Sequence, residues 1–228
     1  MQRVFLFFAF FAWSSLASAQ LAPEQHARLV DYVRDLSRRH IGYAETWRPP
    51  QSQDGWLMDC SNTARYLYWS LFRIKLPRTA SDQYYELKQS NRVVYAPRNA
   101  DGKVDTPALM AELRSGDLLF WEWTYDIQRD PPITHVMVYL GRTADGRPKM
   151  AGSASRAHGE VTTCGGVDVY DFDPNANMGG VKNFWGDYVR RAQFVGFGRP
   201  LAAGAAEPVM AYANNPPRAL PVGSADLH

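Results

Sequence analysis

The chain has 228 residues, a formal net charge of +2 and 21% charged residues, an ordinary globular composition. That balance, with no Lys/Arg cluster, argues against a nucleic-acid groove. Only two cysteines are present, Cys60 and Cys164. There is no Cys-x-x-Cys or His-x-x-x-His spacing, so no structural zinc site is expected.

In chain order, residues 1–19 read as a signal peptide. Arg3 precedes an apolar run from Val4 to Trp13, and Ala17-Ser18-Ala19 offers a small-x-small cleavage site. The run is short for a bilayer span, and no cysteine follows it to make a lipoprotein. Export to a periplasmic or extracellular location is therefore expected, with no stable membrane insertion after cleavage. Residues 20–200 hold one domain's worth of chain. Residues 201–228, rich in Ala, Pro and Gly, read as a disordered or extended tail.

Within the domain, "PEQHARLVDYVRDLSRRH" predicts a helix. Leu29, Val33 and Leu36 fall on one face, Pro23 sits at the entry, and Arg38, Arg39 and His40 occupy the last turn. A polar loop, "TWRPPQSQDG", follows. In "GWLMDCSNTARYLYWSLF", Cys60, Ala64, Leu67 and Leu71 form one helical stripe with Asp59 as the expected N-cap. "TASDQYYELKQ" reads as a short helix opened by Thr79 and Asp82 in a capping-box arrangement. After Leu113 the segments "SGDLLFWEW", "THVMVYLG", "PKMAGSAS", "GGVDVYDF" and "RAQFVGFGRP" carry strand signals, with a hairpin at Gly141 to Gly146. Helices first and strands later predict an α+β fold: N-terminal helices packed on a C-terminal antiparallel sheet.

Cys60 at a first helical turn meets the positive end of the helix dipole, which favours an anion. With a protonated histidine beside it, its pKa falls and a thiolate nucleophile becomes available at neutral pH. His135 is the partner singled out. In its strand Val136, Val138 and Leu140 make the expected core face, and His135, Met137 and Tyr139 point the other way. Two alternatives stand for Cys60: a buried core thiol, and a disulfide with Cys164 in the oxidising conditions that export brings. For His135 the alternative is a structural histidine.

The ordered set "MDCSNTARYLY", "LPRTASDQ", "LRSGDLLFW" and "ITHVMVYLG" resembles the NlpC-type cell-wall peptidases, which are papain-like cysteine enzymes. That family's pattern is Asp-Cys-Ser-Gly at a helix start, then Leu-Pro-Arg-Thr-Ser with a following Gln, then Pro-Gly-Asp-Leu, then His-Val-Gly-Ile-Tyr-Leu-Gly. The closing "FVGFGRP" resembles its last strand. The resemblance covers roughly residues 40–200 and implies a papain-like fold with no cofactor. It assigns Cys60 as nucleophile and His135 as general base and then acid. Asp59 and Ser61 flank the nucleophile at the substrate, and Tyr43 is the candidate tyrosine near the oxyanion hole. The implied substrate is peptidoglycan or a muropeptide, cleaved between γ-D-glutamate and a diamino acid.

Two positions depart from the pattern. Asn62 replaces the glycine after Cys-Ser, a change expected to reshape the cleft. The family's third polar residue, usually a histidine behind the imidazole, falls in "KMAGSAS", where Gly152 or Ser153 stands instead. Ser153 offers a hydroxyl for orienting His135, and His158 lies just beyond. This gap keeps two other readings open: a catalytically weak or silent wall-binding module, and an amidase or acyltransferase acting on a non-wall substrate.

Overall fold

The computed structural model describes residues 21–53 and 55–201. The expected signal peptide, and all of the expected tail except Leu201, lie outside the described residues.

Three helices come first: α1 (Pro23–Arg38), α2 (Cys60–Phe72) and α3 (Ala80–Gln89). Each begins where the sequence supplies a start signal. Pro23 occupies the first turn of α1, where no N–H is needed. Asp59 caps α2 by accepting from the Asn62 N–H at 2.6 Å. Thr79 caps α3 by accepting from the Asp82 N–H at 3.1 Å, and its hydroxyl donates to the Asp82 carboxylate at 2.6 Å. Leu29, Val33 and Leu36 of α1 are all fully buried, or nearly so.

Strand β1 (Val93–Tyr95), helix α4 (Thr106–Glu112) and strands β2 (Leu118–Glu122), β3 (Ile133–Arg142), β4 (Pro148–Ala154) and β5 (Gly166–Asp171) follow. The described chain ends with β6 (Gly180–Lys182), β7 (Tyr188–Arg191) and β8 (Gln193–Gly198). Six strands form one antiparallel sheet in the order β1-β8-β2-β3-β4-β5, and β6-β7 form a separate hairpin. The expected architecture, helices on an antiparallel sheet, is the one observed.

Period-2 alternation sorts the sheet's side chains into two cores. Leu118, Phe120, Val136, Val138, Ala151, Val167 and Val169 pack against α1, α2 and α3. Leu119, Trp121, Met137, Tyr139, Met150 and Phe197 form a second core on the opposite face, joined by Leu109 of α4. Burying a side chain such as Leu119 contributes about 1.5–3 kcal/mol, so both faces stabilise the sheet. The sequence reading identified one core face of β3; the structure buries both. Helix α4 is only seven residues long and carries a proline near its start, too short a window for helical periodicity to register.

Candidate active site

Cys60 opens α2, and its sulfur accepts hydrogen bonds from the backbone N–H groups of Val136 and Ser61. The first of these bonds sets the sulfur against the start of β3, one residue from His135. This follows from the cap: Asp59 stops the extended approach and starts the helix at Cys60, and α2 then packs across β3 and β4. His135 is carried on the rigid strand, opposite Trp121 of β2, with the two rings 5.6 Å apart. Both cysteines are free, so the alternative Cys60–Cys164 disulfide does not form.

A cleft of about 790 Å³ opens at His135, with Tyr43, Glu45, Tyr125 and Thr134 also in its wall; Cys60 lies buried behind that wall. Tyr43 and Tyr125 have raised pKa values, first through burial and next through the negative charge that Cys60 can carry. Both phenols therefore sit within electrostatic reach of the sulfur. A smaller hollow of about 430 Å³ between α1 and α2 is lined by Arg28, Tyr32, Trp69 and Ser70 and includes neither Cys60 nor His135.

Beside the sulfur, Arg78 ties three groups together. It donates to Ser61 Oγ at 2.8 Å, to Asp59 Oδ2 at 2.8 Å and to the Glu45 carbonyl at 2.5 Å. Ser61 in turn donates to Asp59 Oδ1 at 3.0 Å. Gln83 of α3 donates to the Ser61 carbonyl at 3.2 Å, which braces the same turn. Asp59 and Ser61 thus form a fixed polar unit at the head of α2. Replacing Arg78 with Ala leaves the buried Asp59 carboxylate short of a charged donor and is expected to destabilise the fold by about 1–3 kcal/mol. Urea unfolding of the variant measures it.

Burial sets the protonation states. The Cys60 thiol is pushed up to about 12, by burial first and then by the Asp59 charge, while the two backbone N–H groups and Arg78 pull the other way. Burial alone lowers His135 to about 4. Burial thus opposes the charged form of each group, against the thiolate that the helix end favours. The dipole and backbone donors at the head of α2 do favour the anion, but desolvation outweighs them. A neutral imidazole is still a competent base, because it can take the thiol proton as the sulfur attacks.

Of the other expected positions, Ser153 does not reach His135. From the Val138↔Ala151 register, two residues along each strand put Ser153 opposite Val136, on the helix-facing side of the sheet. Its hydroxyl donates to the Met58 carbonyl at 2.8 Å. His158 is exposed in the loop after β4. The His135 Nε2 atom is buried with no hydrogen-bond partner, so neither residue orients the ring. Asn62 is fully buried and accepts from Arg65 at 3.2 Å, so it braces the interior of α2 instead of reshaping the cleft. The sequence reading did not single out Arg78, Glu45 or Tyr125. Arg78 could have been found, since it stands inside the quoted "LPRTASDQ" motif. Glu45 and Tyr125 sit in irregular segments, where no periodicity or spacing marks them.

Comparison with known proteins places this geometry. A murein DD-endopeptidase, MepH of Escherichia coli (strain K12), is 30% identical over 130 residues. The match takes in 57% of this chain and 39% of that relative, so the chain spans well under half of the relative's length. Residues 48–156 match the NlpC/P60 family, a stretch that contains Asp59, Cys60, Ser61, Arg78, His135 and Gly152. Over residues 48–156, and in the fold and the order of motifs just described, this chain is similar to the NlpC/P60 family.

Proposed function

We propose that the protein is an exported cysteine peptidase that hydrolyses peptide bonds in peptidoglycan stem peptides. The observation that carries this reading is the sulfur of Cys60 at the mouth of α2, bonded to the backbone next to His135 beneath a cleft, within the NlpC/P60 match. In the proposed cycle, Cys60 Sγ attacks the amide carbonyl while His135 takes the thiol proton. Backbone N–H groups at the head of α2 stabilise the oxyanion. His135 then protonates the departing amine, leaving a thioacyl enzyme, and water attacks it with His135 again as base. Tyr43 lines the cleft, and Asp59 and Ser61 flank the nucleophile. Export rests on the signal-like residues 1–19, and among the described residues no helix is long and apolar enough to cross a membrane.

The bond proposed is γ-D-glutamyl to diamino acid. A second bond is favoured by the name of the relative, a murein DD-endopeptidase. Digestion of purified uncrosslinked and crosslinked muropeptides with the full chain, read by mass spectrometry, separates the two. Release of the diamino acid end from an uncrosslinked stem supports the first. Cleavage confined to the crosslink supports the second. No product from either substrate removes the peptidase reading and leaves the silent wall-binding module or a non-wall amidase or acyltransferase.

A further inference from the structure

The β6-β7 hairpin is a short two-stranded piece outside the main sheet and outside residues 48–156. Its strands pair Gly180 with Arg191 and Lys182 with Tyr188. A hairpin of this size is marginal alone; here its turn is held by side chain and backbone together. The Asn183 side-chain oxygen accepts from the N–H groups of Trp185 and Asp187, each at 2.9 Å, and the Asn183 N–H donates to the Asp187 carbonyl at 2.9 Å.

This stiffened turn displays two large rings to solvent. Phe184 is 92% exposed and Trp185 82%, and they meet edge to face at 5.2 Å. Scattered apolar residues on a surface need no explanation, but two adjacent aromatic rings at an ordered tip do. Neither ring is buried in a core, so a folding role does not account for them.

The hairpin is continuous with the cleft. Gly180, Lys182 and Tyr188 line it together with His135 and Tyr43. Of the hairpin's cations, Lys182 lines the cleft, over Tyr188 at 4.8 Å; Arg191 stacks on the same ring at 4.7 Å and Arg190 on Trp123 at 3.9 Å. A membrane-docking tip would instead carry its cations in a collar around the exposed rings, facing anionic headgroups. A substrate polymer with carboxylates on its peptides and pyranose rings in its strands fits the observed order. Its carboxylates meet the hairpin's cations, and the apolar faces of its sugar rings meet Phe184 and Trp185.

We infer that the β6-β7 hairpin is a docking element for the glycan-peptide polymer, engaging the strand beyond the peptide held in the cleft. The inference rests on the wall-peptidase reading above for the identity of its polymer. It is tested by co-sedimentation with purified peptidoglycan sacculi in a Cys60→Ala background, which prevents digestion. Phe184→Ser with Trp185→Ser is expected to weaken binding about tenfold or more, equivalent to about 1.4 kcal/mol, with an unchanged melting temperature. With Cys60 restored, the same double variant is expected to cleave a glycan-free stem peptide within about twofold of the parent rate, since that substrate offers no sugar to the tip.

Unchanged sacculus binding overturns the inference. So does an equal loss on sacculi and glycan-free peptide, which would place the rings at the peptide itself. Binding to phosphatidylglycerol vesicles that the variant loses, with sacculus binding intact, overturns it in favour of a membrane surface. If the parent chain cleaves no stem peptide yet sacculus binding still depends on Phe184 and Trp185, the peptidase reading fails and the docking element stands.

Discussion

Replacing Cys60 by alanine is expected to lower kcat/KM on a muropeptide by about 10⁴-fold or more, the scale seen when a covalent nucleophile is removed. The loss should appear in kcat/KM and kcat together, because no thioacyl intermediate can form. The fold should survive. The Cys60 side chain is small and 6% exposed, and its sulfur accepts from the Val136 and Ser61 N–H groups. Losing those contacts is worth about 1–2 kcal/mol, which lowers the melting temperature of a domain this size by only a few degrees. Measured turnover and thermal unfolding on the same preparation separate the two effects. Turnover within tenfold of the parent would remove Cys60 as nucleophile, and with it the covalent mechanism.

The protonation states make this prediction more specific than an exposed thiolate would. Burial raises the Cys60 thiol to about 12 and lowers His135 to about 4, so both charged forms are disfavoured at rest. Charge separation has to arise during attack, when substrate displaces water and the backbone N–H groups receive the oxyanion. Neighbouring groups tune both members of the pair. Asp59 disfavours the thiolate and Arg78 favours it, so the salt bridge between them at 2.8 Å also keeps the net charge beside the sulfur near zero.

Much of this was legible in the sequence because local rules agreed with one another. The first turns of α2 and α3 follow from Asp59 and Thr79 as caps. The face of α1 follows from Leu29, Val33 and Leu36, and β3 and β4 from alternation around a Gly-containing turn. The location of Cys60 at a helix start was therefore readable, and so was His135 at a strand start. What was not legible depended on contacts distant in sequence. The second core needs Leu109 of α4, Met137 and Phe197 brought together, and no single window contains that information. The thiol's pKa turned on desolvation, a property of the assembled fold, whereas the sequence revealed only the helix end, which pulls the other way. Ser153 sits one residue from the position that shares a face with His135, and one residue in a strand reverses the side. Strands β6 and β7, three and four residues long, offered too little alternation to be recognised.

Gly152 occupies that same-face position, and its surroundings show why the imidazole lacks a polar neighbour there. A Cβ at residue 152 would lie 2.3 Å from the Met137 sulfur. Met137 stands where the family pattern has glycine, and Gly152 where it has the third polar residue, so the cross-strand pair has exchanged bulk. Trp121 packs on the ring instead, backed by Phe172 and Phe194. On its Trp121 side the imidazole is thus packed by apolar side chains, with Nε2 buried and unpartnered. This should make the fold acid-labile. In the unfolded chain His135 takes a proton near 6.5, in the folded protein only near 4. Between these values the unfolded state binds more protons, so stability present above pH 6.5 falls as the pH drops, by roughly 3 kcal/mol in total at pH 4. Asp117 works in the opposite direction. Burial raises its carboxyl from 3.8 to about 7 against the pull of the Arg114 N–H and Arg199, so it loses stability as pH rises through the same window and masks part of the histidine effect. Asp117→Asn removes the masking titration while keeping an oxygen to accept the Arg114 N–H, which Asp117 now bonds at 2.9 Å. Urea unfolding of Asp117→Asn between pH 7.5 and 4 is expected to show the fall of about 3 kcal/mol that His135 predicts. Adding His135→Gln should flatten the profile. A flat profile in Asp117→Asn alone would mean that the folded imidazole is protonated as readily as the unfolded one, and that its apolar surroundings do not hold it neutral.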